Sequence, residues 1–159
     1  MIELRASTFI DLPPGRIWRW LETLPDHYTA WHPDHIGCRW LRGGSFTPGA
    51  EMEFVETLHG KTHRLRARVT GVEQERSIDY RMFPGLKGRF EITKSETGSI
   101  FTAVIYVGVT TPVIGNLTDW VLGAFLEGRL EDLAKHQAEE GENLKEILES
   151  PVGNAREPT

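Results

Sequence analysis

The chain has 159 residues, of which 39% are hydrophobic and 26% charged, and a net charge of −5. These values are typical of one soluble globular domain that is long enough to bury a proper core. The acidic balance argues against a nucleic-acid-binding surface, which needs clustered Lys and Arg. No apolar run approaches the roughly 18 residues that a membrane span needs. The single cysteine, Cys38, excludes an intrachain disulfide.

The N-terminal segment lacks the apolar core and cleavage site of a secretory signal peptide. We therefore expect a cytoplasmic protein. The basic residues that do cluster, between Lys61 and Arg68, alternate with apolar residues at the spacing of a strand. This pattern predicts the solvated face of a sheet.

Residues 2–10 predict a first strand, and residues 14–24 predict a helix that Pro14 opens and Pro25-Asp26 stops. The next residues, 27–35, form a short aromatic, histidine-rich stretch that we interpret as a loop. From Gly37 onward, closely spaced turn signals predict five or six strands in an antiparallel meander. These signals are Gly43-Gly44, Pro48-Gly49, His59-Gly60, Pro84-Gly85 and Glu96-Thr97-Gly98.

Residues 116–148 contain no proline, and apolar residues recur there every three or four positions. This periodicity predicts one helix of roughly thirty residues. The polar tail, residues 151–159, is predicted to be disordered. Since no repeat or linker interrupts the pattern, residues 1–150 predict a single domain.

The order of strand, short helix, several strands and long C-terminal helix resembles the START-like and polyketide cyclase superfamily (SRPBCC, Bet v 1-like). The resemblance covers nearly the whole chain. It implies an α+β helix-grip fold, in which a curved antiparallel sheet wraps around the C-terminal helix. It also implies an internal cavity for a small hydrophobic or aromatic ligand.

Two polar residues interrupt the apolar side of the predicted C-terminal helix. On a helical wheel Glu140 lies inside the apolar arc and His136 at its edge, and residues four apart are neighbours on a helix. A buried carboxylate needs a partner. One interpretation is a His–Glu pair in a pocket, or a glutamate at a frayed helix edge. The other is a pair of ligands for a zinc ion.

The segment Trp31-His32-Pro33-Asp34-His35 places a proline and an acid between two histidines. Asp34 is suited to orient an imidazole as an outer partner of a metal ligand. The alternative interpretation is a surface loop with solvated histidines, over which Trp31 packs.

In the strand predicted for residues 51–58, Met52, Phe54 and Leu58 share one face. Glu56 interrupts this inward-facing row, whereas Glu53 lies on the opposite face. Alternatively, Glu56 is solvated near the end of the strand. Together with the histidine segment and the helix, Glu56 completes a set of two carboxylates and inward histidines around one cavity.

These residues resemble the zinc-dependent diacetylphloroglucinol and phloretin hydrolases. The matching positions are Trp31-His32-Pro33-Asp34-His35, Glu56 before Gly60, His136 with Glu140, and Asn143-Leu144. The resemblance implies that His35, Glu56, His136 and Glu140 hold Zn²⁺ or another divalent metal. The chain is shorter than those hydrolases and the spacing from His35 to the glutamate differs, which leaves Glu53 as a rival to Glu56 and His32 as a rival to His35.

The resemblance further implies a metal-dependent hydrolase that cleaves a carbon–carbon bond of a small aromatic or polyketide-like ketone. Tyr28 and His32 are the candidates for a catalytic proton donor. Two alternatives stay open at this point. One is a non-catalytic carrier of a hydrophobic ligand. The other is a metal-free cyclase or dehydratase that uses His136 and Glu140 as an acid–base pair.

Overall fold

The computed structural model describes residues 2–58, 60–82, 86–108 and 130–151. Seven strands form one antiparallel sheet in the order β1-β7-β6-β5-β4-β3-β2, which confirms the predicted helix-grip architecture. The strands are β1 (Ile2–Ile10), β2 (His35–Arg42), β3 (Glu51–Leu58), β4 (Lys61–Glu73), β5 (Ser77–Met82), β6 (Leu86–Lys94) and β7 (Ser99–Val107). The helices are α1 (Pro14–Glu22), α2 (Leu24–Trp31) and α3 (Leu130–Glu149).

The segment between β1 and β2 differs from the prediction. The helix begins at Pro14 as expected, but the chain bends at Thr23 and a second helix, α2, follows it. Pro25 lies in the first turn of α2, where its missing N–H group costs no hydrogen bond. The proline that we interpreted as a stop therefore lies at the start of a helix, and the predicted loop over residues 27–35 is wrong up to Trp31.

The predicted C-terminal helix is confirmed from residue 130 onward. Residues 116–129, and the tail beyond residue 151, lie outside the described residues. None of the helices in the described ranges is long and apolar enough to cross a membrane.

The strand pattern sorts the side chains onto two faces of the sheet. In β4, Arg64, Arg66 and Arg68 are exposed, whereas Ala67 and Val69 between and beside them are buried. This alternation confirms the predicted solvated face. The inner face packs against the three helices through a core that includes Ile17, Leu21, Leu24, Trp31, Phe101 and Leu144.

Two contacts fix α3 in place. Gly141 lies against Thr8 of β1, where an added Cβ would clash with Thr8 Oγ1. On its other side, Asn143 Nδ2 donates to the carbonyl of Trp31 (2.9 Å), and the Trp31 indole N–H donates to the carbonyl of Glu140 (2.8 Å). The helix is therefore held between the first strand and the end of α2.

The first prediction tests the contact with β1. Gly141→Ala should lower the free energy of unfolding by about 1–3 kcal/mol, because overpacking outweighs the gain in helix propensity. Urea denaturation measures the change. In a Thr8→Ala background the same substitution should cost less, since the clashing hydroxyl is gone. Gly37→Ala, where an added Cβ meets nothing within 4 Å, is the matched control. Equal costs in both backgrounds would contradict the proposed clash.

A second prediction tests the contact with α2. Asn143→Ala should lower the free energy of unfolding by about 1–2 kcal/mol, because the carbonyl of Trp31 loses its donor in a partly buried place. Glu142→Ala, at the exposed neighbouring position, should change stability by less than about 0.5 kcal/mol. A loss no larger than that of the control would show that the bond does not hold α3 to α2.

Candidate active site

The inner face of the sheet, α2 and α3 enclose a cavity of about 520 Å³. This volume is in the range of sites for small organic ligands. Its walls are mostly apolar and include Phe54, Leu65, Val69, Met82, Phe90 and Ile105. Polar side chains from α2, β3 and α3 converge in one part of the wall, so the chemistry of the cavity is concentrated there.

The centre of this polar group is a triangle of three side-chain atoms. His35 Nε2 lies 3.0 Å from Glu140 Oε1 and 3.3 Å from His136 Nε2, and the third side, from His136 Nε2 to Glu140 Oε1, measures 3.6 Å. Both histidines are buried, and the carboxyl group of Glu140 is 13% exposed. Three of the four predicted metal ligands are therefore brought together.

Local structure explains how these side chains meet. His35 is the first residue of β2, and its ring stacks on the ring of Tyr28 at 3.9 Å and 3°. His136 and Glu140 are one helical turn apart on α3 and face the same side. The fourth predicted ligand, Glu56, pairs with His35 in the β2–β3 register and accepts a hydrogen bond from the hydroxyl of Tyr28.

The oxygen atoms that face Nδ1 of each histidine indicate its neutral tautomer. His35 Nδ1 lies 3.0 Å from the carbonyl of Tyr28, which can only accept, so Nδ1 carries the proton and the lone pair of Nε2 points into the triangle. His136 Nδ1 faces the carboxylate of Asp34 at 3.7 Å, which favours the same tautomer. When both rings are neutral in this tautomer, Nε2 of each ring and Glu140 Oε1 present three electron pairs to one point; when an imidazole takes up a second proton, its Nε2–H donates to Glu140 instead.

This arrangement shifts the pKa values of Glu140 and His136 on α3 in opposite directions. Burial favours the neutral form of Glu140, but hydrogen bonds from His136 and His35 outweigh it and lower the pKa of the carboxyl group. Burial also opposes a charge on His136, and the hydrogen bond to Glu140 and the surrounding carboxylates reverse this and raise the pKa of the imidazole. The site therefore stabilises positive charge between its acceptors.

Two neighbouring groups stay protonated. Burial and the charges of Glu56 and Glu140 raise the pKa of Tyr28 far above its ordinary value. Burial and the charge of Glu56 raise the pKa of Cys38 to about 12. At neutral pH the phenol of Tyr28 therefore stays protonated and acts as a hydrogen-bond donor, and Cys38 is a poor nucleophile.

His32 is buried beside the triangle, with its ring centroid 4.0 Å from that of His136. The ring nitrogens of His32, His35 and His136 come within 4.8 Å of one another. However, His32 Nδ1 accepts the backbone N–H of Asp34 (3.1 Å), and Nε2 faces Glu139 at 3.0 Å. Because both nitrogens of His32 have protein partners, the geometry favours His35 as the ligand; a catalytic role of His32 stays a prediction.

The structure places the two candidate glutamates, Glu53 and Glu56, on opposite faces of the sheet. Glu56 lines the cavity, as the strand pattern predicts. Glu53 lies on the outer face, where it accepts hydrogen bonds from Arg39 (2.9 Å) and Arg64 (3.2 Å). These partners hold the pKa of Glu53 below its usual value. Glu53 is thus part of a surface ion-pair network and does not reach the cavity.

Two polar residues of the cavity wall were not singled out from the sequence. Tyr80 lies over Gly88 of the neighbouring strand, where an added Cβ would clash with the tyrosine ring. Gln137 is buried in the wall beside His136. The sequence does indicate that Gln137 is buried. It precedes the buried residues Gly141 and Leu144 by four and seven positions, and so shares their helix face.

Solved structures of similar shape support the fold. A Thermus thermophilus protein, TTHA0849, aligns over 98% of this chain and 100% of its own with a TM-score of 0.71 at 16% identity. Protein NE0264 from Nitrosomonas europaea aligns over 92% and 94% of the two chains, with a TM-score of 0.65 at 17% identity. The di-domain ARO/CYC protein BexL from the BE-7585A biosynthetic pathway aligns over 94% of this chain and 50% of its own, with a TM-score of 0.66 at 15% identity.

A comparison with curated proteins found no match. The resemblance to the zinc-dependent hydrolases thus rests on the residues named above, and the comparisons do not support that narrower assignment. The broader family is established, since residues 1–142 match its sequence pattern. The chain belongs to the family described as polyketide cyclase / dehydrase and lipid transport.

Proposed function

We propose that the chain is a metal-dependent hydrolase that acts on the carbonyl group of a small aromatic ketone bound in the cavity. The observation that carries the proposal is the triangle of His35 Nε2, His136 Nε2 and Glu140 Oε1. Three acceptor atoms at this separation repel one another unless a cation or shared protons lie between them.

The dimensions of the triangle fit a divalent metal. Ligand atoms about 2.1 Å from a tetrahedral zinc ion lie about 3.4 Å from one another. The three measured distances, 3.0, 3.3 and 3.6 Å, bracket that value. Both imidazoles also place Nδ1 toward an oxygen of the protein, the usual arrangement of histidine ligands. Glu56, which pairs with His35 in the β2–β3 register, is our candidate for the fourth ligand.

When bound, a divalent ion of this class polarises a carbonyl oxygen and lowers the pKa of water. The protein supplies the other requirements. The apolar walls offer a surface for an aromatic ring. The carbonyl of Tyr28 and the carboxylate of Asp34 orient the two histidines. The hydroxyl of Tyr28 lies on the cavity wall with its proton directed to Glu56.

The reaction balances without a redox partner. The bond between the acyl carbon and the ring carbon breaks, the hydroxyl of water adds to the acyl carbon, and a proton adds to the ring carbon. The products are a carboxylic acid and the deacylated arene. Tyr28 is our candidate for the proton donor, because its hydroxyl lies on the cavity wall next to Glu56.

A second candidate, a metal-free cyclase or dehydratase, is favoured by the family match, whose description names polyketide cyclase and dehydrase. In that case the positive charge between the acceptors is a proton, and His136 and Glu140 act as an acid–base pair. The opposing pKa shifts of these two residues are compatible with such an ion pair. The same match also includes lipid transport, for which the cavity alone would suffice.

The third prediction concerns metal content. Protein purified without added metal should contain about one zinc or similar divalent ion per chain, measured by elemental mass spectrometry. Glu140→Gln and His136→Ala should each lower the affinity for the metal ion. The loss should exceed roughly 10–100-fold, which is the effect of removing a residue that only orients a ligand. Glu146→Gln, an exposed position of the same helix, should keep the metal. Equal metal content in all four proteins would contradict the assignment of ligands.

The fourth prediction concerns turnover. Metal-loaded protein incubated with acylated polyhydroxybenzenes should release the carboxylic acid, detected by mass spectrometry. Chelation should stop the release, and added Zn²⁺ should restore it. Tyr28→Phe should lower kcat by roughly 10²–10⁴-fold in protein kept saturated with metal, because the proton donor is removed; saturation compensates for the lost hydrogen bond to Glu56.

Other outcomes of this assay separate the alternatives. Turnover that survives complete removal of the metal would favour the acid–base pair of a metal-free enzyme. Tight binding of the ketones with full recovery of intact compound would contradict hydrolysis and favour a carrier.

A further inference from the structure

One buried side chain of the cavity wall lacks any hydrogen-bond partner. Gln137 is 2% exposed and lines the cavity, and neither its Nε2 nor its Oε1 is bonded. Within the described part of the chain, the other buried side-chain atom without a partner is Nε of Arg89. The guanidinium of Arg89 is already bonded to Asp79 and Ser77, so among the described residues Gln137 alone has a wholly unpartnered buried polar group.

Such a group needs an explanation, because buried amides are nearly always hydrogen-bonded and an unpaired one destabilises the fold. A methionine would fill the same volume without that cost. Helix packing does not require an amide here, since the other positions on this face of α3 are Gly141, Leu144 and Leu148. We propose that Gln137 is a specificity-determining residue, which hydrogen-bonds a neutral hydroxyl or oxo group of the ligand.

The chemistry of the amide defines the class of ligand. Gln137 offers two N–H donors and one carbonyl acceptor, so it can pair with a hydroxyl group or with an oxo group. The amide carries no charge with which to pair an anionic group. A hydrocarbon chain would leave it unpaired. The amide therefore favours a ligand with a neutral hydroxyl or oxo substituent over a plain lipid chain.

The position of Gln137 adds a constraint on orientation. It follows His136 directly on α3, and consecutive Cα atoms are about 3.8 Å apart. Because successive side chains on a helix point about 100° apart, the amide and the triangle contact different parts of a ligand in the cavity. The inference rests on the proposed function, in that the ligand occupies this cavity, but it holds with or without a metal.

The experiment compares two ketones of equal shape that differ by one hydroxyl group. Binding of 2-acetylnaphthalene and of its isomeric hydroxy derivatives is measured by isothermal titration calorimetry. Wild-type protein should bind at least one hydroxy isomer about tenfold more tightly than the parent ketone. Gln137→Met should abolish this preference and leave affinity for the parent ketone unchanged. Gln74→Met, the same substitution at an exposed turn, is the matched control.

The thermal midpoint of the ligand-free protein gives an independent reading. Gln137→Met should raise it by several degrees because an unpaired buried amide is removed, whereas Gln74→Met should not. An unchanged preference in Gln137→Met would overturn the inference, as would a lowered midpoint. Failure of every ketone to bind wild-type protein contradicts the proposed function too, whereas equal binding of parent and hydroxy ketones contradicts only the role of Gln137.

Discussion

The carboxylate of Glu140 lies among two imidazoles in a largely apolar cavity, and this constraint organises the site. An isolated buried carboxylate is far less stable than one in water, so the fold must bring compensating groups to it. It does so from two directions, with His136 from the same helix and His35 from the start of β2. Each imidazole is in turn oriented by an oxygen behind it, from Tyr28 or Asp34.

The geometry of the site depends on how α3 is seated. The side chains of the triangle come from a helix and a strand, which hold side chains more rigidly than loops do. A shift of α3 along the sheet would separate His136 from His35, because the two residues belong to different elements. The contact of Gly141 with Thr8 sets the distance between α3 and β1. The hydrogen bond from Asn143 to the carbonyl of Trp31 holds α3 against the end of α2, next to the histidines. Residues outside the cavity therefore determine the dimensions of the triangle.

The periodicity of apolar residues in the sequence was sufficient to identify charged residues that lie on an otherwise apolar face of a strand or helix. Glu56 and Glu140 each interrupt an apolar face, and the structure places both on the cavity wall. The division of residues 14–31 into two helices was missed, because a proline can end one helix or begin the next and only packing decides between them. Gln137 was missed for another reason. A neutral amide in an apolar stripe draws less notice than a charge, and its lack of a partner is visible only in three dimensions.

In the proposed function, the triangle and Gln137 contact different groups of the ligand. The acceptors of the triangle attract a cation or a proton and so polarise whatever carbonyl group lies next to them. They do not distinguish one ketone from another. In the role proposed for it, the amide of Gln137 selects among the substituents of a ligand, and the apolar walls limit the size of that ligand. Because a site built to hydrogen-bond a substituent discriminates strongly against ligands that lack it, selectivity can change at Gln137 while the reactive centre stays intact.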